Sequence, residues 1–124
     1  MRDSILKVLC KRRDNIWLVL CELYPRLVRY NPPDIKLSAR LYRTAGYNHQ
    51  DENQVILGYK FILYSEQYRD NMINIILPHE IIHQADYNLY GLSEKRCGHG
   101  KNWVSMMQAY GLPPDKFHSM DIPR

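Results

Sequence analysis

The sequence predicts an α+β domain, with helices packed on a small sheet of about three strands. Three observations predict it. Apolar residues recur at helical spacing over the first part of the chain. They alternate with polar ones in a middle stretch. They then return to helical spacing in a long segment that is apolar nearly all round. The chain has 124 residues, enough for one modest core and too few for two, so residues 1–124 are expected to form a single domain.

The elements follow in order. Leu6, Leu9, Ile16, Leu20, Leu23 and Leu27 recur at spacings of three, four and seven, which is helical. Arg13 interrupts that stripe and Asp14 is a capping residue type, so a second helix starting at Asp14 is an alternative to one continuous helix. Pro25 should kink or end it, and "NPPD" at 31–34 is a firm break. In "IKLSARLYR", residues 35–43, Ile35, Leu37, Ala39 and Leu41 alternate with Lys36, Ser38, Arg40 and Tyr42, which predicts a half-buried strand. A further strand is expected over 46–49, and another in "QVILGYKFIL" at 54–63, where Gly58 marks a bulge or a close approach. Ser65 is placed to cap a helix that runs to Gly91, and Met72, Ile73, Ile75, Ile76, Leu77, Ile81 and Ile82 make it a buried one. "SEKRCGHGK" reads as a loop, and "NWVSMMQAYG" as a last short helix ending at Gly111.

Composition narrows the function classes. Hydrophobic content of 45% and charged content of 24% are those of an ordinary globular protein. The apolar run at 16–21 is too short to span a bilayer, and the opening "MRDSILKVLCKRRD" lacks the order of a signal peptide. The expected location is cytoplasmic, with no membrane partner. Cys10, Cys21 and Cys97 make an odd count without a CxxC pair, against a disulfide framework or an all-cysteine zinc site. The net charge of +4 favours an acidic partner. Its densest cluster is Lys11, Arg12 and Arg13, with Lys36 and Arg40 on the first strand. A solvated face is the plain reading of these residues; a weak nucleic-acid surface is the other.

The segment "NIILPHEIIHQADYNLYG" carries the chemistry. At about 100° per residue, with His79 at zero, His83 falls at about 40° and Glu80 at about 100°. The two imidazoles stand one turn apart on one face, with a carboxylate beside them. This is the HExxH pattern, two metal ligands and a general base for a metal-activated water. Hydrogen-bonded core histidines are the plain alternative. A catalytic site needs a third protein ligand, and Asp86, Glu94, His99, His49 and His118 are the candidates. Asp86 lies on the same face, but three ligands on one straight helix do not easily surround an ion. His99 is preferred, because Gly98 and Gly100 let backbone approach closely just before a helix able to fold back. Cys97 is expected not to be a ligand, since an added thiolate would close the site. Trp103 reads as a core anchor behind His99, or as a side chain supporting the metal ligands.

"LPHEIIH" followed by "GHGKNWVSMMQAYGLPP" resembles the SprT-like metalloprotease domain of bacterial SprT and eukaryotic Spartan proteins. That family pairs PHExxH with a downstream HGxxW, matched here by His99, Gly100, Lys101, Asn102 and Trp103; Met106 or Met107 matches the methionine that follows. "PPDIKLSARLYRTAGY" is similar to the family's strand entry and Ala-Gly turn, so the resemblance covers roughly 32–118. It implies a zincin-like minimal metalloprotease fold and one Zn2+ on His79, His83 and His99. It also implies peptide hydrolysis with Glu80 as catalytic base, on a protein or peptide substrate. DNA-associated proteins enter through the Spartan likeness. Zincins pair extended substrate with an edge strand, assigned here to 54–57. Phe117 and His118 match the family's histidine-containing tail, which offers His118 as a supporting residue beside the plainer reading of a surface histidine. The paired cysteines of the bacterial zinc ribbon are missing from this sequence, so no second zinc is expected. A zinc-containing module that binds nucleic acid or protein without cutting is the alternative function.

Overall fold

A computed structural model of the chain describes residues 2–41, 43–91 and 100–114. Helix α1, Arg2–Leu23, is continuous. Leu9, Ile16, Trp17 and Leu20 form its buried stripe, each side chain contributing about 1.5–3 kcal/mol from burial. The expected alternative of a break at Asp14 is not realised. Arg13 stays in the helix because its guanidinium has local partners: Nε donates to Asp14 Oδ1 at 3.0 Å and NH1 to the Pro33 carbonyl at 3.2 Å. Pro25 ends α1 as expected and opens a 3-10 turn, Pro25–Arg29.

Among the described residues the sheet has three strands: β1, Asp34–Ser38; β2, Gly46–His49; and β3, Gln54–Gly58. Their order is β1-β3-β2. β1 runs parallel and β2 antiparallel to β3. Two expectations are corrected. β1 stops at Ser38 rather than continuing to Arg43, because the Ser38 hydroxyl accepts the Arg40 N–H at 3.2 Å and turns the chain; Ala39 is exposed. β3 stops at Gly58 rather than Leu63. Helix α2, Tyr59–Tyr64, follows it and buries Phe61 and Ile62. The Phe61 ring folds back over Gly58, where a Cβ would stand 2.7 Å from Phe61 Cδ2. The close approach anticipated at Gly58 is therefore real, and it ends the strand.

A third correction concerns substrate pairing. Residues 54–57 are in the central strand, with both edges of β3 already paired. The expected edge-strand role cannot belong to them. Among the described residues, β1 and β2 are the edges.

Ser65 caps helix α3, Glu66–Asn71, its hydroxyl accepting the Tyr68 N–H at 3.0 Å. A single π turn, Met72–Ile76, joins α3 to helix α4, Leu77–Tyr90. There the Leu77 N–H reaches back five residues to the Met72 carbonyl. Pro78 follows at once; it has no N–H, and its ring would crowd the carbonyl four residues earlier in a regular helix. The wider turn accommodates it. Every residue from Leu77 to Asp86 is buried. Gly91 ends α4 at φ 79°. Helix α5, Lys101–Tyr110, closes with Gly111 at φ 103°: the Gly111 N–H bonds the Gln108 carbonyl and the Leu112 N–H bonds the Met107 carbonyl. This is a Schellman ending.

Candidate metal centre

The site is built on α4, whose other faces pack on α1, the sheet and α5. Burial of the helix on several sides holds its polar residues where water cannot solvate them. His79, Glu80 and His83 are 4%, 6% and 7% exposed. The i, i+4 spacing turns the two rings toward one point, and their Nε2 atoms stand 3.2 Å apart. Glu80 Oε2 lies 3.9 Å from His79 Nε2. Ligand atoms of all three residues fall within 4.8 Å of one another.

The donor set fits a divalent metal ion. Two nitrogens bound to one tetrahedral ion at about 2.0–2.1 Å are separated by roughly 3.3–3.4 Å, close to the 3.2 Å found here. Imidazole nitrogen is the donor type that zinc and its neighbours in the transition series prefer.

Trp103 on α5 is fully buried against both rings. Its indole stacks on His83, with centroids 4.8 Å apart and planes 10° from parallel, and meets His79 edge-on at 5.0 Å. Trp103 is a core residue, and its ring packs on both imidazoles.

The structure brings together His79, Glu80, His83 and Trp103, and it separates them from other candidates. His49 is exposed on β2. Asp86 is buried at 6% exposure, and burial pushes its carboxyl up to about 6, but it is not part of the three-residue cluster. His99, Glu94, Cys97 and His118 lie outside the described residues. Of the basic residues, Lys11, Lys36 and Arg40 are exposed, whereas Arg12 and Arg13 are partly buried and Arg13 is held by Asp14 and Pro33.

Sequence reasoning missed a polar pair beside the metal face. Gln84, next to His83, is 1% exposed and its Oε1 accepts from Asn48 Nδ2 on β2 at 2.7 Å. The available signal was a neutral amide, Gln84, directly after "LPHEIIH".

No described helix is long and apolar enough to cross a membrane. The family model described as SprT-like matches residues 25–119. Proteins named Protein SprT from Pseudomonas paraeruginosa and Pseudomonas aeruginosa are 35% identical over 81 residues, covering 64% of this chain and 46% of theirs. The chain thus spans less than half the length of these curated relatives. No solved structure matches.

Proposed function

From the chain's membership of the SprT-like family, we propose that it is a zinc metallopeptidase of the zincin kind, acting on protein or peptide substrates. The observation that carries this reading is the convergence of His79 and His83 Nε2 at 3.2 Å with the Glu80 carboxylate 3.9 Å from one of them.

His79 and His83 hold one zinc ion, and His99 is the third ligand. Support for His99 comes from its place two residues before Lys101, the start of α5, whose Trp103 touches both imidazoles. Zinc held there supplies Lewis acidity, polarising a carbonyl and bringing the pKa of water down to about 7. Glu80 handles the proton: its carboxylate takes one from the attacking water and passes it to the leaving amine nitrogen. Its burial keeps bulk water from competing for that proton. Trp103 holds the ligand rings in plane so that neither nitrogen wanders from the shared point. An extended substrate segment lies along β2, whose outer edge pairs with no strand among the described residues.

Metal analysis of the purified protein should find one zinc, and the wild type should cleave an unfolded substrate such as reduced casein. Glu80→Gln should keep the zinc and lose roughly 10²–10⁴-fold in rate, the usual contribution of a general base. Full zinc occupancy with no cleavage by wild type would refute the peptidase reading in favour of a binding module. Full zinc in His99→Ala would refute the ligand assignment.

A further inference from the structure

We propose that Gln84 and Asn48 form a positioning pair that sets the height of the β2 edge over the two histidines, and so determines which peptide bond an extended substrate presents there. The proposal rests on the peptidase reading above.

The pair is a directed chain of hydrogen bonds. Asn48 Nδ2 donates to the Gln54 carbonyl at 3.0 Å and to Gln84 Oε1 at 2.7 Å. Gln84 Nε2 donates to the Gln50 carbonyl at 3.3 Å and to Asn88 Oδ1 at 3.0 Å. Backbone carbonyls accept only, so the Gln54 and Gln50 carbonyls fix which way both amides face. Neither amide can flip without placing oxygen against oxygen. Gln84 directly follows His83 on α4, so a link of two side chains joins the helix that carries both histidines to the edge strand.

The backbone of Asn48 faces the other way. The Gly58 N–H donates to the Ala45 carbonyl at 2.7 Å. With Gly46 opposite Leu57 and Asn48 opposite Val55, the antiparallel alternation makes Tyr47 and His49 the hydrogen-bonded partners of β3. The main-chain N–H and C=O of Gly46 and Asn48 therefore point out of the sheet edge, available to a pairing strand. Asn48 is thus anchored to the metal helix by its side chain and offers its backbone to substrate. Such backbone pairing recognises extended chain of any sequence.

The test uses the intact protein carrying Glu80→Gln, loaded with zinc. The probes are a fluorescent ten-residue peptide of alternating Thr and Lys and the same peptide N-methylated at every residue, which has no amide N–H to donate to a strand edge. The unmethylated peptide should bind better. Adding Gln84→Leu or Asn48→Ala should weaken it by about five- to tenfold, the worth of one or two buried hydrogen bonds, and leave the methylated probe and zinc content unchanged. The double variant should lose no more than either single. In the cleaving protein, each single variant should raise KM on a long substrate with little change in kcat, leave a tripeptide unaffected and scatter the cleavage position, which general loss of stability would not do. Equal binding of the two peptides, or an unshifted cleavage position in both variants, overturns the pair. Preferential binding that both variants weaken, in a protein that cuts nothing, upholds the pair and overturns the peptidase reading instead.

Discussion

Two buried carboxylates share α4, in different surroundings. Glu80 stands beside His79 in the cluster able to hold a metal ion. Asp86 is one turn beyond His83, and burial alone raises its carboxyl from 3.8 to about 6. In the window between those values the folded chain holds more protons than the unfolded one, so the Asp86 contribution to stability falls as pH rises from about 4 to about 6 and then levels off. Asp86→Asn removes the titration. In zinc-free protein it should therefore be stabilised relative to wild type by more at pH 7.5 than at pH 4.5, most of the change coming between pH 4 and 6. Denaturant unfolding of both proteins across that range measures it, and a constant difference would show that Asp86 ionises freely in the fold. The sequence made His79, Glu80 and His83 legible because helical spacing alone puts them together. It could not show Gln84 meeting Asn48, 36 positions away, because that meeting depends on how β2 lies against α4.

Helix ends were legible where a local signal decides them. Ser65, Gly91 and Gly111 each act within their own turn, through a hydroxyl cap or a positive φ. Strand ends were not. Ser38 ends β1 by capturing the Arg40 N–H, although the alternation of apolar residues runs on to Leu41. Gly58 ends β3 because the Phe61 ring needs its empty side, a contact no alternation rule anticipates. Gly58→Ala should accordingly cost about 1–3 kcal/mol, the usual range for overpacking a filled core. The clashing partner is a fully buried ring, and the added Cβ would also stand 3.3 Å from the Ala45 carbonyl oxygen. Phe61→Leu should recover part of that loss, because the added methyl gains room. Chemical denaturation of the two single variants and the double checks this, and simple additivity would show that the ring is not what Gly58 accommodates.

Across the whole molecule the charge is +4, yet the basic residues are not equivalent. Arg13 is used inside the fold, bridging α1 to the Pro33 carbonyl, whereas Lys11, Lys36 and Arg40 face solvent. Binding to single-stranded DNA, if it occurs through these side chains, should be weak and fall with salt at a slope of roughly −0.7 per phosphate contact. Lys36→Gln and Arg40→Gln should each flatten that slope. Arg13→Gln should instead lower the melting temperature. Affinity that survives high salt or depends on base sequence would rule out this electrostatic reading. The sequence by itself determined the α+β class, the long buried helix with His79 and His83 one turn apart on one face, and the family resemblance that the SprT-like match bears out. These depend on periodicity and on spacing within one helix, where geometry follows directly from residue number. Only the tertiary structure decided that β3 is central and β2 an edge among the described residues, that Trp103 stacks on His83, and that Gln84 ties α4 to that edge. Strand order and contacts between distant segments are set by which surfaces bury one another best across the whole chain, and that competition leaves no mark at any single position.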